Sequence, residues 1–339
     1  MIDFRYHLVS IIAVFLALAV GLLVGAAYLS GPALTLLKRE QQTANRENIT
    51  LQKENGVLSR QVNADQAFAQ AGTDRLVAGL LTGQKVVLVE APGTTSGMAS
   101  GVIGTLEQAG AAVTGQVLLQ ASFLSSGGQA ESTLSQLATQ LAGPAGVSLP
   151  TTPLYPGLTG QQQAAAVIAA SIVSKDSVGL PASTSQNILQ GFAQPGFLQV
   201  KVNGNATSPA PATLAVLLDP QGPETPATSQ SLAAFAAELK SSSEATVLAG
   251  ALNSTPVTDA VSVEASTGTV STVDNADTAS GQVIVVQALR NLLDGKAPAS
   301  YGVGPVSAPS PAPTPAVTPT TTGSGTGSPT PGSTKGTRK

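Results

Sequence analysis

Apolar positions run without a single charge from Leu8 to Leu29 (LVSIIAVFLALAVGLLVGAAYL), interrupted only by Ser10 and Tyr28. At about 1.5 Å per residue this stretch reaches about 33 Å as a helix, enough to cross a bilayer core. A helix satisfies its own backbone hydrogen bonds in lipid, so one span is physically sufficient. Ala13, Ala17, Gly21 and Gly25 recur every four residues and share one face. Gly21 to Gly25 is a GxxxG pattern, which lets two helix backbones approach closely. The alternative is that small residues are simply common here. Gly31-Pro32 then punctuates, since Gly suits a helix end and Pro a first helical turn. A transmembrane segment over 1–31 is the expectation, with a cleaved signal peptide as the competing reading.

Over 32–72 the pattern changes to seven-residue spacing. The a-type positions are Leu34, Gln41, Asn48, Asn55 and Val62; the d-type positions are Leu37, Ala44, Leu51 and Leu58. Leu at d with Asn at a predicts a parallel two-stranded coiled coil, because a buried Asn fixes register and strand number. A helix packed on its own domain is the competing reading. The expected homodimer interface is Ala17, Gly21, Gly25, Leu37, Asn48, Leu51, Asn55 and Leu58.

From 84 to 302, short apolar β-branched runs alternate with helical spacing. Strands are expected at Lys85 to Val89, Val113 to Leu119, Phe197 to Val202, Thr213 to Leu218, Ala245 to Ala249 and Val270 to Val273. Helices are expected at Ser96 to Ala109, Glu131 to Leu141, Gln161 to Val173, Ser185 to Phe192, Ser229 to Leu239 and Ser280 to Leu293. Continuous apolar strands alternating with helices imply an α/β domain with a Rossmann-like, mostly parallel sheet. Residues 303–339 are mostly Pro, Thr, Gly and Ser, with scattered Val and Ala and a basic end at Lys335, Arg338 and Lys339, and are expected to be disordered.

Composition narrows the chemistry. With 339 residues and net charge −3, nothing electrostatic points to nucleic acid. The chain has no Cys, which removes disulfides and thiolate chemistry. Its one His, His7, lies at the membrane edge, so no Ser-His-Asp triad can form in the large domain. Gly93, Gly97, Gly101 and Gly104 follow the first strand, but not as GxGxxG, and no Gly-Lys-Ser/Thr follows. Asp219, Asp259, Asp274 and Asp277 lie near expected strand ends. Asp274, Asn275 and Asp277 form the densest polar cluster, a candidate polar ligand site; helix capping and turn formation are the alternative. No cofactor and no catalytic residue is expected. Arg5 precedes the span while Lys38, Arg39 and Arg46 follow it, so the positive-inside count does not favour an inside N-terminus. Composition and the anchor's position instead place the large domain outside the cell membrane, in the envelope.

The N-terminus MIDFRYHLVSIIAVFLALAVGLLVGA, the strand KVVLVEAPG and the segment TVDNADTASG from Thr272 to Gly281 resemble the actinobacterial MctB family of copper transport outer-membrane proteins, with which the SteB-type envelope proteins group. The resemblance runs from Met1 to about Gly302. It implies an envelope location and a link to copper homeostasis or export. For SteB-like members it implies partnership with another envelope or cell-division protein and no copper role. Copper(I) favours thiolate, thioether or imidazole ligands, and this chain offers one His and two Met. A channel-forming β-barrel needs alternating strands and aromatic girdles, yet Trp is absent and aromatics are 3% of residues. The expectation is a non-enzymatic, dimeric, single-pass envelope protein, with a copper-export channel subunit as the alternative.

Overall fold

The computed structural model describes residues 4–176, 178–202, 208–220, 225–251 and 268–304. The expected disordered tail lies outside these residues from 305 onward, as does Asp259. Helix α1 is Phe4–Val77. The chain divides into two compact units, Met1–Gly72 and Thr73–Lys339.

The first unit is the body of α1. Within it, Tyr6–Gly25 is apolar enough to cross a membrane, with a mean hydropathy of 2.9 and none of it buried inside the protein. The expected break at Gly31-Pro32 is absent: the backbone stays helical through both residues. Pro removes one N–H and crowds one carbonyl. The Ala- and Leu-rich flanks on both sides continue the helix past that local cost.

The second unit is a three-layer α/β domain. Its sheet has seven strands: β1 (Lys85–Glu90), β2 (Ala112–Leu119), β3 (Leu198–Lys201), β4 (Leu214–Asp219), β5 (Ala245–Gly250), β6 (Ser271–Val273) and β7 (Ser300–Tyr301). Their spatial order is β3-β2-β1-β4-β5-β6-β7. Every pairing is parallel except β2 with β3. The sheet is thus open, and it presents no barrel wall among the described residues. β4 and β5 are buried at every position, as parallel strands covered on both faces must be. β1 pairs with β2 on one side and β4 on the other, so the direction of sheet growth reverses between β1 and β4.

Two apolar cores flank the sheet. Val87, Val89, Ala215 and Leu217 point to one side. There they meet α3 (Ala121–Leu124), α4 (Gly128–Ala145), α5 (Thr159–Ile172), α6 (Ala182–Ala193) and α7 (Pro226–Ser242). Phe123 and Phe235 meet edge to face in this layer, with centroids 5.6 Å apart. Val86, Leu88, Val216 and Val247 point to the other side, against α2 (Ser96–Gln108) and α8 (Ala279–Leu293). Val77 and Leu81, where the chain enters this unit, are buried in that second core. Leu81 N–H donates to the Ala109 carbonyl at 3.0 Å. The chain therefore enters at the amino edge of β1 and leaves past the carboxyl end of β7.

Candidate functional site

At the carboxyl edge of the sheet, threonines cap three of the helices that begin there among the described residues. Thr95 accepts from Met98 N–H at α2, Thr225 from Thr228 N–H at α7, and Thr278 from Gly281 N–H at α8. Each cap satisfies one first-turn donor that the helix itself cannot. A crevice of about 370 Å³ opens here, beside the reversal between β1 and β4. Pro92, Ala121, Leu124 and Ala227 supply its apolar lining; Ser125, Ser126, Thr225 and Thr228 supply hydroxyls. Open parallel sheets bind ligands at such reversals. This crevice carries hydroxyls and no charged side chain among its described lining residues.

Several buried polar groups stand near this edge. Asp219 ends β4 fully buried. Glu90 ends β1 at 7% exposure, and its Oε1 has no partner. Burial pushes the Glu90 carboxyl above its ordinary range, and the Lys201 cation opposes that rise. Gln161 donates to the Ser125 carbonyl at 2.7 Å, holding the crevice loop from behind. On α7, Glu238 is also raised by burial, opposed by the hydrogen bond it accepts from Gln162 at 2.8 Å. Glu90 was legible only as a charged residue closing an apolar run. The crevice serines and threonines carried no signal, because such residues fill ordinary loops.

The sequence-predicted cluster at Asp274 has a defined arrangement. Asp274 accepts from the Val303 and Gly304 N–H groups, at 2.8 Å each. Gly302 passes close above it at φ +136°, and a Cβ there would lie 1.8 Å from Asp274 Oδ1. Only glycine fits that crossing. Asn275 is 4% exposed; its carbonyl accepts from Thr278 Oγ1 at 2.7 Å, and its Oδ1 has no partner. Gly281 packs on the Asn275 carbonyl with no room for a side chain. Asp277 is exposed. The structure brings Asp274 and Asn275 together in a turn that leads into α8 and clasps the strand-exit segment.

The sequence-predicted interface residues of α1 stand on an uncovered helix. No atom would contact a Cβ placed at Gly21 or Gly25. Leu37 is 66% exposed, Leu51 58% and Leu58 57%. Ala17, Asn48 and Asn55 are exposed as well. Gln52 Nε2 donates to Asn48 Oδ1 at 2.8 Å along the same face.

The donor set for copper can be tested directly. Met98 is 3% exposed inside the α2 core, and His7 lies exposed near the start of α1. Among the described residues no three His, Cys, Asp or Glu converge. Soft thiolate and imidazole ligation has no assembled set here.

The family described as "Copper transport outer membrane protein, MctB" matches residues 1–312. The chain is 28% identical over 314 residues to "Copper transporter MctB" of Mycobacterium tuberculosis, covering 90% of this chain and 97% of that protein. It shares the same identity and coverage with the Mycobacterium bovis protein of that name. It is 29% identical to the Mycobacterium leprae one over 313 residues, again covering 90% and 97%. A match spanning the apolar helix, the stalk sequence and the whole α/β unit leaves one assignment: this chain belongs to the MctB family of copper transport outer membrane proteins.

Proposed function

We propose that the protein is a single-pass component of the cell envelope. Its N-terminal helix stays in the cell membrane, its stalk pairs two copies as a coiled coil, and its Rossmann-like α/β unit docks another envelope or cell-division protein without catalysis. The observation that carries this reading is the uncovered length of α1: Tyr6–Gly25 has a mean hydropathy of 2.9 and none of it is covered by the protein. The leucines that continue at heptad spacing are uncovered too. Lipid around the first part and a partner helix along the heptad leucines of the second would cover these surfaces.

The relatives' names supply the copper connection. The residues of this chain support a role in copper handling as a subunit, with copper as cargo of the assembly rather than a ligand of the α/β unit. Thiolates are absent, and the buried Met98 is committed to packing. The open, two-side-covered sheet favours this subunit reading over a self-contained channel.

Protease shaving of intact cells, followed by mass measurement of the retained fragment, tests the anchor and its orientation. Retention of residues 1–31 with loss of the α/β unit supports the proposal; a soluble chain trimmed after Ala26 or Ala27 removes it. Conductance of the purified protein in planar bilayers would instead favour a channel.

A further inference from the structure

The stalk contains an internal repeat: Arg39-Glu40-Gln41, Arg46-Glu47-Asn48 and Lys53-Glu54-Asn55 recur every seven residues, and Arg60-Gln61-Val62 ends the series. With Asn48 at a, the cations fall at f and the glutamates at g. Asn45, Gln52 and Ser59 then fall at e. Among the described residues the ion pair found is Arg290–Asp294 in the α/β unit, so the stalk glutamates have no cation of their own chain. One polar contact is already formed on this face: Gln52 Nε2 donates to Asn48 Oδ1 at 2.8 Å.

We propose that these heptads build a polar ladder that fixes a second copy of this chain in parallel and in register, with Gln52 as its central positioning residue. The proposal rests on the dimeric reading above and adds its partner geometry. In a parallel coiled coil a g residue faces the e residue five positions later on the other helix. Glu40 of one copy therefore faces Asn45 of the other, Glu47 faces Gln52, and Glu54 faces Ser59. Every g carboxylate meets a neutral hydrogen-bond donor. A carboxamide carries two N–H donors. Gln52 spends one on Asn48 Oδ1 and has the second for Glu47 of the other copy. Asn48 keeps its own N–H groups for Asn48 across the seam.

The alternatives are disfavoured by the same residues. An antiparallel pair sets g against g, so three glutamates on each helix face three more. A slip of one heptad opposes Asn55 to Val62 and buries its amide without a partner. The cations at f point away from the seam in every arrangement.

The natural absence of cysteine gives a clean test in full-length protein in native membranes. Leu37→Cys at the stalk base should form a disulfide-linked dimer on mild oxidation, whereas Lys53→Cys at an f position should not. In detergent, Gln52→Glu should weaken dimerisation about tenfold by facing Glu47 with a like charge. Adding Glu47→Gln should restore it, and Gln52→Lys should match or exceed the native protein. Failure of Leu37→Cys to crosslink overturns the dimer itself. Crosslinking at 37 with no response to Gln52→Glu, or no rescue by Glu47→Gln, overturns the ladder and leaves the dimer standing.

Discussion

The two units place the same kind of residue in opposite surroundings. In the α/β unit, Leu88, Leu217, Leu232 and Leu248 are fully buried. On α1, Leu22 is 71% exposed and Leu37 66% exposed. The α/β unit closes on itself, with an apolar core on each side of its sheet. The helix is unfinished, because its apolar surface exceeds anything its own chain covers. Stability of the first should follow its own packing, and stability of the second should follow lipid and a partner.

The largest effect expected within this comparison is in the closed unit. Phe235→Ala removes a ring fully buried against Phe123. It should cost about 3–5 kcal/mol of unfolding free energy, measured by urea denaturation in detergent, with the oligomeric state unchanged. A cost below about 1 kcal/mol would mean that this core is loosely packed. Next is a charge in the open unit. Leu18→Arg should cost about 2.5–3.5 kcal/mol of insertion and shift protein out of the membrane fraction, while the α/β unit unfolds as before.

Asp274→Ala is a smaller perturbation. It leaves the Val303 and Gly304 N–H groups without their carboxylate. About 1.5–3 kcal/mol is expected, with faster amide exchange confined to β7 and its exit. Unchanged exchange there would remove the clasp.

The smallest effect concerns pH. Glu90 titrates above its ordinary value of 4.5 because burial disfavours its charge. A raised folded pKa means the folded state binds the proton more tightly. Its contribution to stability is therefore fully present below the ordinary carboxylate range and is lost as pH rises through the raised value. Glu90→Gln should raise the melting temperature slightly at neutral pH and converge with the native protein near pH 4. A lower melting temperature at neutral pH would show that the carboxylate is needed in its charged form.

Much of this division was legible in the residues, for physical reasons. KVVLV, LAVLL and ATVLA read as strands because a parallel strand covered on both faces must be apolar throughout. The long uncharged run reads as a helix long and apolar enough to cross a bilayer, and Tyr6–Gly25 forms such a helix. What stayed hidden depended on distant pairing. The antiparallel direction of β3 is set by its pairing with β2, about eighty residues earlier. β7 is two residues long and leaves no periodicity. Asp274 stood out as part of a polar cluster, for a ligand or for capping and turn formation, but two amides it accepts from lie 29 and 30 residues downstream and carry no sequence signal. Gly31-Pro32 does not break α1, because helix formers on both sides carry the helix past the proline's local cost. The crevice beside Pro92 was not among the expected sites, because its serines and threonines look like those of any loop.

Native mass spectrometry of the protein extracted gently from its own membranes bears most directly on the contrast between a closed globule and an open helix. The account predicts a particle of two uncut chains, each of 33.6 kDa, that dissociates when Leu51 and Leu58 are both replaced by Ala. A single chain shortened by its apolar N-terminus, found free of the membrane, would contradict it.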